Sequence, residues 1–386
     1  MATAEMKSED QEAVIFGSID RFLERDVAPY VHKLEHDDEY PADMVERMRE
    51  LGLFGATIPA AYGGLGLSAV LYARIVERIS RVWMSLAGIF NSHLIMAAAV
   101  ERFGTEAQKQ EFLPRFASGE LRGGLALTEP DCGTDLQAIR TAARREGDHY
   151  VVDGTKTWIS NGIHGQCFAL LVKTDPRAQP RHRGMSLLLA KKADGFTVSR
   201  KLEKLGYKGI DTAELVFEGY RVPADRLIGG EAGFGLKHAL GALELGRINV
   251  AARGVGVAQA ALDQALAYSQ VRKTFGKPIC QHQAIQLKLA DMATQVHAAR
   301  LLTRMPRGPT TAGAAATWKP AWQSCSRAKR RSRSRSKRCA STAPMVIPRN
   351  SWSSGSIAAP LLVIGEGTNE LQRIIIARQL IERNPI

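Results

Sequence analysis

The chain has 386 residues, 45% hydrophobic and 24% charged, with a net charge of +13, which is too long for one simple core and calls for two or three packed subdomains of ordinary globular composition. No apolar run is long enough to cross a bilayer, which predicts a soluble chain with no membrane partner. The segment from Met305 to Pro360 holds eleven Lys or Arg and no Asp or Glu, so the remainder is nearly neutral and gives no reason to expect a polyanion partner.

In chain order, Met1 to Gln11 is polar and acidic, unlike a secretion signal or a transit peptide, and the expected compartment is the cytoplasm. Ser8 and Gln11 have capping-box spacing, and Ile15, Ile19, Phe22 and Leu23 recur at helical intervals, so an amphipathic helix opens the chain. Helical patterns continue to about Ser118, broken at Ile58 to Ser68 (IPAAYGGLGLS), where paired glycines favour a tight loop. After Gly123 short apolar runs alternate with turn signals, as in Tyr150–Val152, Phe168–Val172, Met185–Leu189 and Leu215–Phe217, and Asp153-Gly154 is a hairpin signal. This middle third predicts a mostly antiparallel β domain. Helical periodicity returns from about Gly235, over Leu240 to Ser269 and His282 to Thr303. The five cysteines, Cys132, Cys167, Cys280, Cys325 and Cys339, show no zinc or redox spacing and are expected to be reduced thiols; no metal site is expected.

Three segments could carry chemistry. LALTEPDCGTD (Leu125 to Asp135) and KTWISNG (Lys156 to Gly162) offer hydroxyls at Thr128, Thr134 and Ser160 and a flat face at Trp158, suited to a polar ligand with an aromatic ring; a plain turn and a core tryptophan would account for either alone. Arg247, the RKTFG run from Arg272 to Gly276 and the HQAI run from His282 could hold phosphate through charge-assisted hydrogen bonds, although solvated arginines are commoner. In IGEGTNELQ (Ile364 to Gln372), Gly365 and Gly367 flank Glu366, letting a ligand approach the backbone beside a carboxylate, and the following helix would aim its N-terminal end at that turn.

Taken together, YGGLG, LTEPDCGTD, WISNG, Val222-Pro223, RKTFGKPI with HQAIQ, and EGTNELQR resemble the acyl-CoA dehydrogenase family in order and spacing, over about residues 8 to 304 and 361 to 383. The resemblance implies an α+β multidomain fold: an N-terminal helical domain (1–122), a middle β domain (123–230) and a C-terminal four-helix bundle (231–386). It implies FAD as cofactor, with Leu125, Leu127, Thr128, Thr134, Trp158, Ile159 and Ser160 lining the flavin. Arg272, Phe275, His282 and Gln283 would reach the FAD of a neighbouring subunit, and Thr368, Asn369 and Glu370 its diphosphate and adenosine side. Thr134, Glu244, Leu245, Gly246, Arg247, Gly367 and Arg378 would contact an acyl-CoA substrate. Glu366 falls on the family's usual catalytic base; a subgroup takes its base from the helix position held here by Gly246, which has no side chain. The implied reaction is α,β-dehydrogenation of an acyl-CoA thioester to a trans-2-enoyl-CoA. An electron-transfer flavoprotein would be the acceptor, and the assembly a homotetramer or homodimer. A flavin oxidase or monooxygenase of the same fold is the alternative within enzymes.

From Met305 to Pro360 the resemblance fails, although the window keeps about the family's usual length. Read two bases later with suitable synonymous codons, STAPMVIPRNSWS from Ser341 gives HGAYGYSKEFVV, and WKPAWQSCSRA from Trp318 gives EAGMAKLFAS, both close to the family's missing turn and helix. Met345-Val346 must then yield glycine, and Trp322-Gln323 alanine. A compensated pair of frame shifts near Arg304 and Pro360 is the expectation. The competing reading, an inactive remnant with a basic Ser/Arg arm for nucleic acid, takes the window at face value.

Overall fold

The computed structural model describes residues 8–304, together with Ile374. The window from Met305 to Pro360 and the IGEGTNELQ turn lie outside the described residues. The helical start comprises α1 (Ser8–Phe22), α2 (Val31–Asp37), α3 (Ala42–Glu50), α4 (Ala69–Val82), α5 (Met84–Phe103) and α6 (Glu106–Ala117). Seven strands follow: β1 (Gly123–Ala126), β2 (Ala142–Glu146), β3 (His149–Ser160), β4 (Cys167–Lys173), β5 (Met185–Lys191), β6 (Phe196–Lys201) and β7 (Thr212–Pro223). Then come α7 (Gly235–Val271), a small hairpin of β8 (Lys273–Thr274) and β9 (Lys277–Pro278), and α8 (Gln283–Arg304). The helix–strand–helix order expected from periodicity is the one found. Of the four expected bundle helices, α7 and α8 are described.

By contacts the chain forms two compact units. One joins residues 8–37, 73–84 and 248–304. Here Arg74 and Arg78 lie over the Phe16 ring on α1, and Trp83 Nε1 donates to Glu35 at 2.9 Å. Glu77 of α4 holds α8 through Arg300 (2.8 Å) and Arg304 (2.9 Å), and Gly256 of α7 packs so close to the Glu77 carbonyl that a Cβ would lie 2.4 Å from it.

The other unit spans Asp38–Tyr72 and Ser85–Arg247 and contains the whole seven-stranded sheet. Strand order is β1-β4-β2-β3-β7-β6, with β5 on β4; β1 and β2 run parallel to β4 and the other pairs are antiparallel. β4 reads CFALLVK and buries every residue but the last, the continuous apolar run expected of a strand covered on both faces. Phe168, Phe196, Phe217 and Tyr220 make an aromatic cluster, with ring centroids 4.7–5.8 Å apart. Gln108 of α6, which also closes a capping box with Thr105, donates to the carbonyls of Asp225 and Leu227 at 2.7 Å, tying this helix to the segment after β7.

Two expectations are corrected. Asp153-Gly154 is not a hairpin turn: β3 runs straight through it, and the hairpin lies one strand end earlier, between Glu146 and His149. The glycine is needed there because the register with β7 slips at this point and a Cβ on Gly154, at φ +146°, would meet Thr141 at 2.6–2.8 Å. Secondly, α5 is long and apolar enough by length and composition to cross a bilayer, although its apolar window is 89% buried within the protein. A helix apolar all round belongs in a core, and this one passes close to β1, where a Cβ on Gly124 would lie 2.2 Å from Ser92 Oγ.

Phe168 has no exposed surface. Its replacement by alanine leaves a cavity in the aromatic cluster, with an expected loss of about 3–5 kcal/mol, read as a lower urea midpoint.

Candidate functional site

The sheet presents an exposed indole at a place where a tryptophan would ordinarily be buried. Trp158 is 58% exposed at φ +59°, in the left-handed region that a bulky residue adopts only when its surroundings force it. The cause is a bulge: between the pairs Lys156–Leu215 and Ile159–Ala213, two residues of β3 face one of β7. Thr157 is thereby turned off the ladder, and its N–H donates instead to the carbonyl of Thr128 at 2.9 Å. That bond helps hold the LTEPDCGTD loop against the WISNG strand.

A buried ion pair fixes the same contact from beneath. Lys156, with no exposed side-chain surface, donates to Glu129 Oε1 at 2.8 Å and to the Leu127 carbonyl at 3.1 Å. Glu129 also accepts from the N–H groups of Arg140 (2.6 Å) and Thr141 (3.0 Å). Burial alone would push the Glu129 carboxyl up, but the Lys156 ammonium and these donors hold it below the usual carboxylate range. Burial draws Lys156 down to about 8 against the pull of Glu129, so at neutral pH both partners are charged.

Asn161 closes the other end. Its Nδ2 donates to the carbonyls of Ile89 on α5 (2.9 Å) and Gly123 on β1 (2.8 Å), and its N–H to Asp211 O at 3.1 Å. Asp211, almost fully buried, accepts from Ile163 N–H at 2.8 Å and sits 2.8 Å from His164 Nδ1. The four-residue stretch Lys156–Ile159 is thus anchored on both sides while its tryptophan faces out.

Of the expected flavin-lining residues, Leu125 lies in β1, Leu127 and Thr128 just after it and bonded through their carbonyls to β3, and Trp158, Ile159 and Ser160 in β3, with Ile159 buried beneath; Thr134 is exposed in the loop after β1. A second group lies on α7. Glu244 is held by Arg102, which also donates to Gly241 O at 2.7 Å; Leu245 and Gly246 are buried; and Arg247 has a buried Nε with no hydrogen-bond partner among the described residues. A third group belongs to the other compact unit: Arg272 and Gln283 are exposed, Phe275 is 96% exposed at φ +51°, and His282 lies 3.0 Å from Thr274 Oγ1. Glu366, Gly367, Thr368, Asn369, Glu370 and Arg378 lie outside the described residues.

The sequence contained Glu129, Lys156 and Asn161 inside the quoted motifs but gave them no role. The available signal was a lysine inside an apolar, strand-like run, which is costly unless paired.

Comparison with known proteins matches three models along the chain, for the N-terminal domain (residues 8–120), middle domain (124–220) and C-terminal domain (233–381) of acyl-CoA dehydrogenases. An acyl-CoA dehydrogenase of Bacillus subtilis is 38% identical over 294 residues, covering 76% of this chain and 77% of that protein. Butyryl-CoA dehydrogenase from Megasphaera elsdenii superposes with a TM-score of 0.86 at 30% identity, over 99% of this chain and 100% of its own. A glutaryl-CoA dehydrogenase from Mycobacterium smegmatis, solved in complex with FADH2, gives 0.84 at 25% identity over 96% and 95% of the two chains.

The ion pair has a pH signature. Because the folded-state pKa of Glu129 is depressed, its contribution is present above the unfolded carboxyl value of about 4.3 and is lost as pH falls through the folded value. Urea midpoints measured from pH 7 to 3 will decline over that window in the native protein. In Glu129→Gln the buried ammonium of Lys156 is left unpaired, so the midpoint at pH 7 will be lower, by about 3–5 kcal/mol of stability, with a flatter acid limb.

Proposed function

The chain belongs to the acyl-CoA dehydrogenase family of flavin-dependent oxidoreductases, and from that premise we propose that it binds FAD on the Trp158 face of the sheet and uses Glu366 as its base. The observation that carries the cofactor assignment is Trp158 itself: an outward indole on a forced bulge, with Thr128 bonded to the adjacent Thr157 and Ser160 two positions on in the same strand, has the chemistry of a surface for a flat, polar ring system. When bound, FAD supplies the hydride acceptor for the substrate's β-carbon.

The protein's own residues do the rest. The α-hydrogen of a thioester is a weak acid, so its removal needs a placed carboxylate, which we assign to Glu366. The helix position used by a subgroup of the family cannot serve, since it is Gly246 here. Arg247, whose buried Nε has no hydrogen-bond partner among the described residues, is assigned to the acyl-CoA, together with Leu245, Gly246, Gly367 and Arg378. Glu244 contributes through the carboxylate that Arg102 holds. The product is a trans-2-enoyl-CoA. Arg272, Phe275, His282 and Gln283 are assigned to the FAD of a second subunit; the almost wholly exposed Phe275 supports this, since a bare aromatic at a hairpin tip suits a partner surface. An electron-transfer flavoprotein is the proposed acceptor and a homotetramer or homodimer the proposed assembly, on the strength of the family.

For residues 305–360 we propose the compensated pair of frame shifts. Its support is the family turn and helix that emerge from the shifted frame while the window keeps its length. Resequencing the locus tests it: an uninterrupted frame encoding the printed residues would overturn a sequencing error.

The Glu366→Gln protein will retain bound flavin and its absorbance spectrum but lose bleaching by acyl-CoA, by several orders of magnitude in rate; bleaching at the native rate would refute the base assignment. Oxygen uptake in place of electron transfer to the flavoprotein would instead favour an oxidase.

A further inference from the structure

Asn161-Gly162 is the one Asn-Gly pair in the chain, and the fold demands both residues. Asn161 sits at φ +61°, in the left-handed region that asparagine enters more readily than most side chains. A Cβ on Gly162 would lie 2.7 Å from Ala213 Cβ and 2.9 Å from Ile159 O, so nothing larger than glycine fits there. The asparagine must also supply donors. Its Nδ2 lies between two carbonyl oxygens, Ile89 O on α5 and Gly123 O on β1, and only an N–H group can occupy that place.

The same pair is chemically labile. With no side chain to shield it, the glycine nitrogen is free to approach the amide carbon of the asparagine before it. On losing its proton to solvent base, Gly162 N bonds to Asn161 Cγ, the Cγ–Nδ2 bond breaks and ammonia leaves, closing a succinimide ring. Water then opens the ring at either carbonyl. The products are aspartate, or isoaspartate with one extra methylene in the main chain; water enters, ammonia leaves and no oxidant is needed.

In the folded protein both reacting groups are held. Gly162 N–H donates to Ile159 O at 3.2 Å, Asn161 N–H to Asp211 O at 3.1 Å, and the Asn161 carbonyl accepts from Gly165 N–H at 2.7 Å. Asn161 is 4% exposed. Ring closure needs Gly162 N to leave Ile159 and Nδ2 to leave both carbonyls, so it waits on local opening.

Conversion would invert the polarity of the junction. A carboxylate here turns an acceptor toward Ile89 O and Gly123 O, and its second oxygen takes the place of Oδ1, which is buried with no hydrogen-bond partner among the described residues. Asp211, 3% exposed, already sets one buried carboxylate against this turn, accepting from Ile163 N–H at 2.8 Å. A second one, unpaired, is strongly unfavourable.

We propose that Asn161-Gly162 is a site of spontaneous deamidation guarded by the fold, and that its conversion releases the Trp158 strand from α5 and β1. Neither the cofactor nor the base assignment enters.

The full-length protein, native or in urea, is incubated in mildly alkaline buffer and digested, and mass spectrometry follows conversion at each asparagine. In urea Asn161 should convert ahead of the other asparagines. In the native protein its rate should fall about tenfold or more, as for a reaction gated by opening. Asn161→Asp should lower the urea midpoint, and by more than Asn161→Gly, which permits the left-handed backbone and removes the donors without adding charge. Should Asn161→Asp fail to fold, aged native protein supplies the readout, its converted fraction being cut first under limited proteolysis. A lag behind the other asparagines in urea overturns the proposal, as do equal native and unfolded rates. So does a midpoint for Asn161→Asp no lower than that of Asn161→Gly, or converted chains that resist protease as native ones do.

Discussion

One buried ion pair holds the candidate site in shape. Lys156 and Glu129 are 27 positions apart, and neither could stay charged in the sheet without the other. Their bond draws the loop after β1 under β3, and only then can Thr157 leave the β7 ladder for the Thr128 carbonyl. The bulge at Trp158 accompanies that exchange, and with it comes the one large aromatic that this sheet, among the described residues, turns outward. Isolated buried pairs are weak contributors to stability, so the gain here is geometric: a specific loop path across a specific strand.

Glycine works to the same end by permitting close approach. Gly124 lies where a Cβ would be 2.2 Å from Ser92 Oγ of α5 and 3.2 Å from Ser160 O, so helix, β1 and the end of the WISNG strand share one tight junction. Asn161 bridges that junction with two donors. Rigid support beneath and adaptable polar groups above are what a ligand surface needs if it is to be ready before the ligand arrives.

How much of this was legible depended on whether a residue's role is local. β4 announces itself, because a strand covered on both faces must be apolar throughout, and the helices of both ends follow from their spacing. Asp153-Gly154 misled because the glycine answers to Thr141 across the sheet rather than to its own neighbours in sequence. Lys156 was visible but mute: its partner comes from another loop, and no window of sequence contains both. α5 shows the same limit from the other side, since its uniform apolarity is explained only by what surrounds it. The exposed Trp158 could be placed in a motif, whereas its strained backbone became apparent only in three dimensions.

The left-handed backbone at Trp158 bears on timing. A side chain swung outward by its own main chain, on a strand anchored at both ends, needs no backbone rearrangement to present itself when a guest appears. Association with such a surface should therefore be a one-step encounter, with the conformational cost already met when the polypeptide folds.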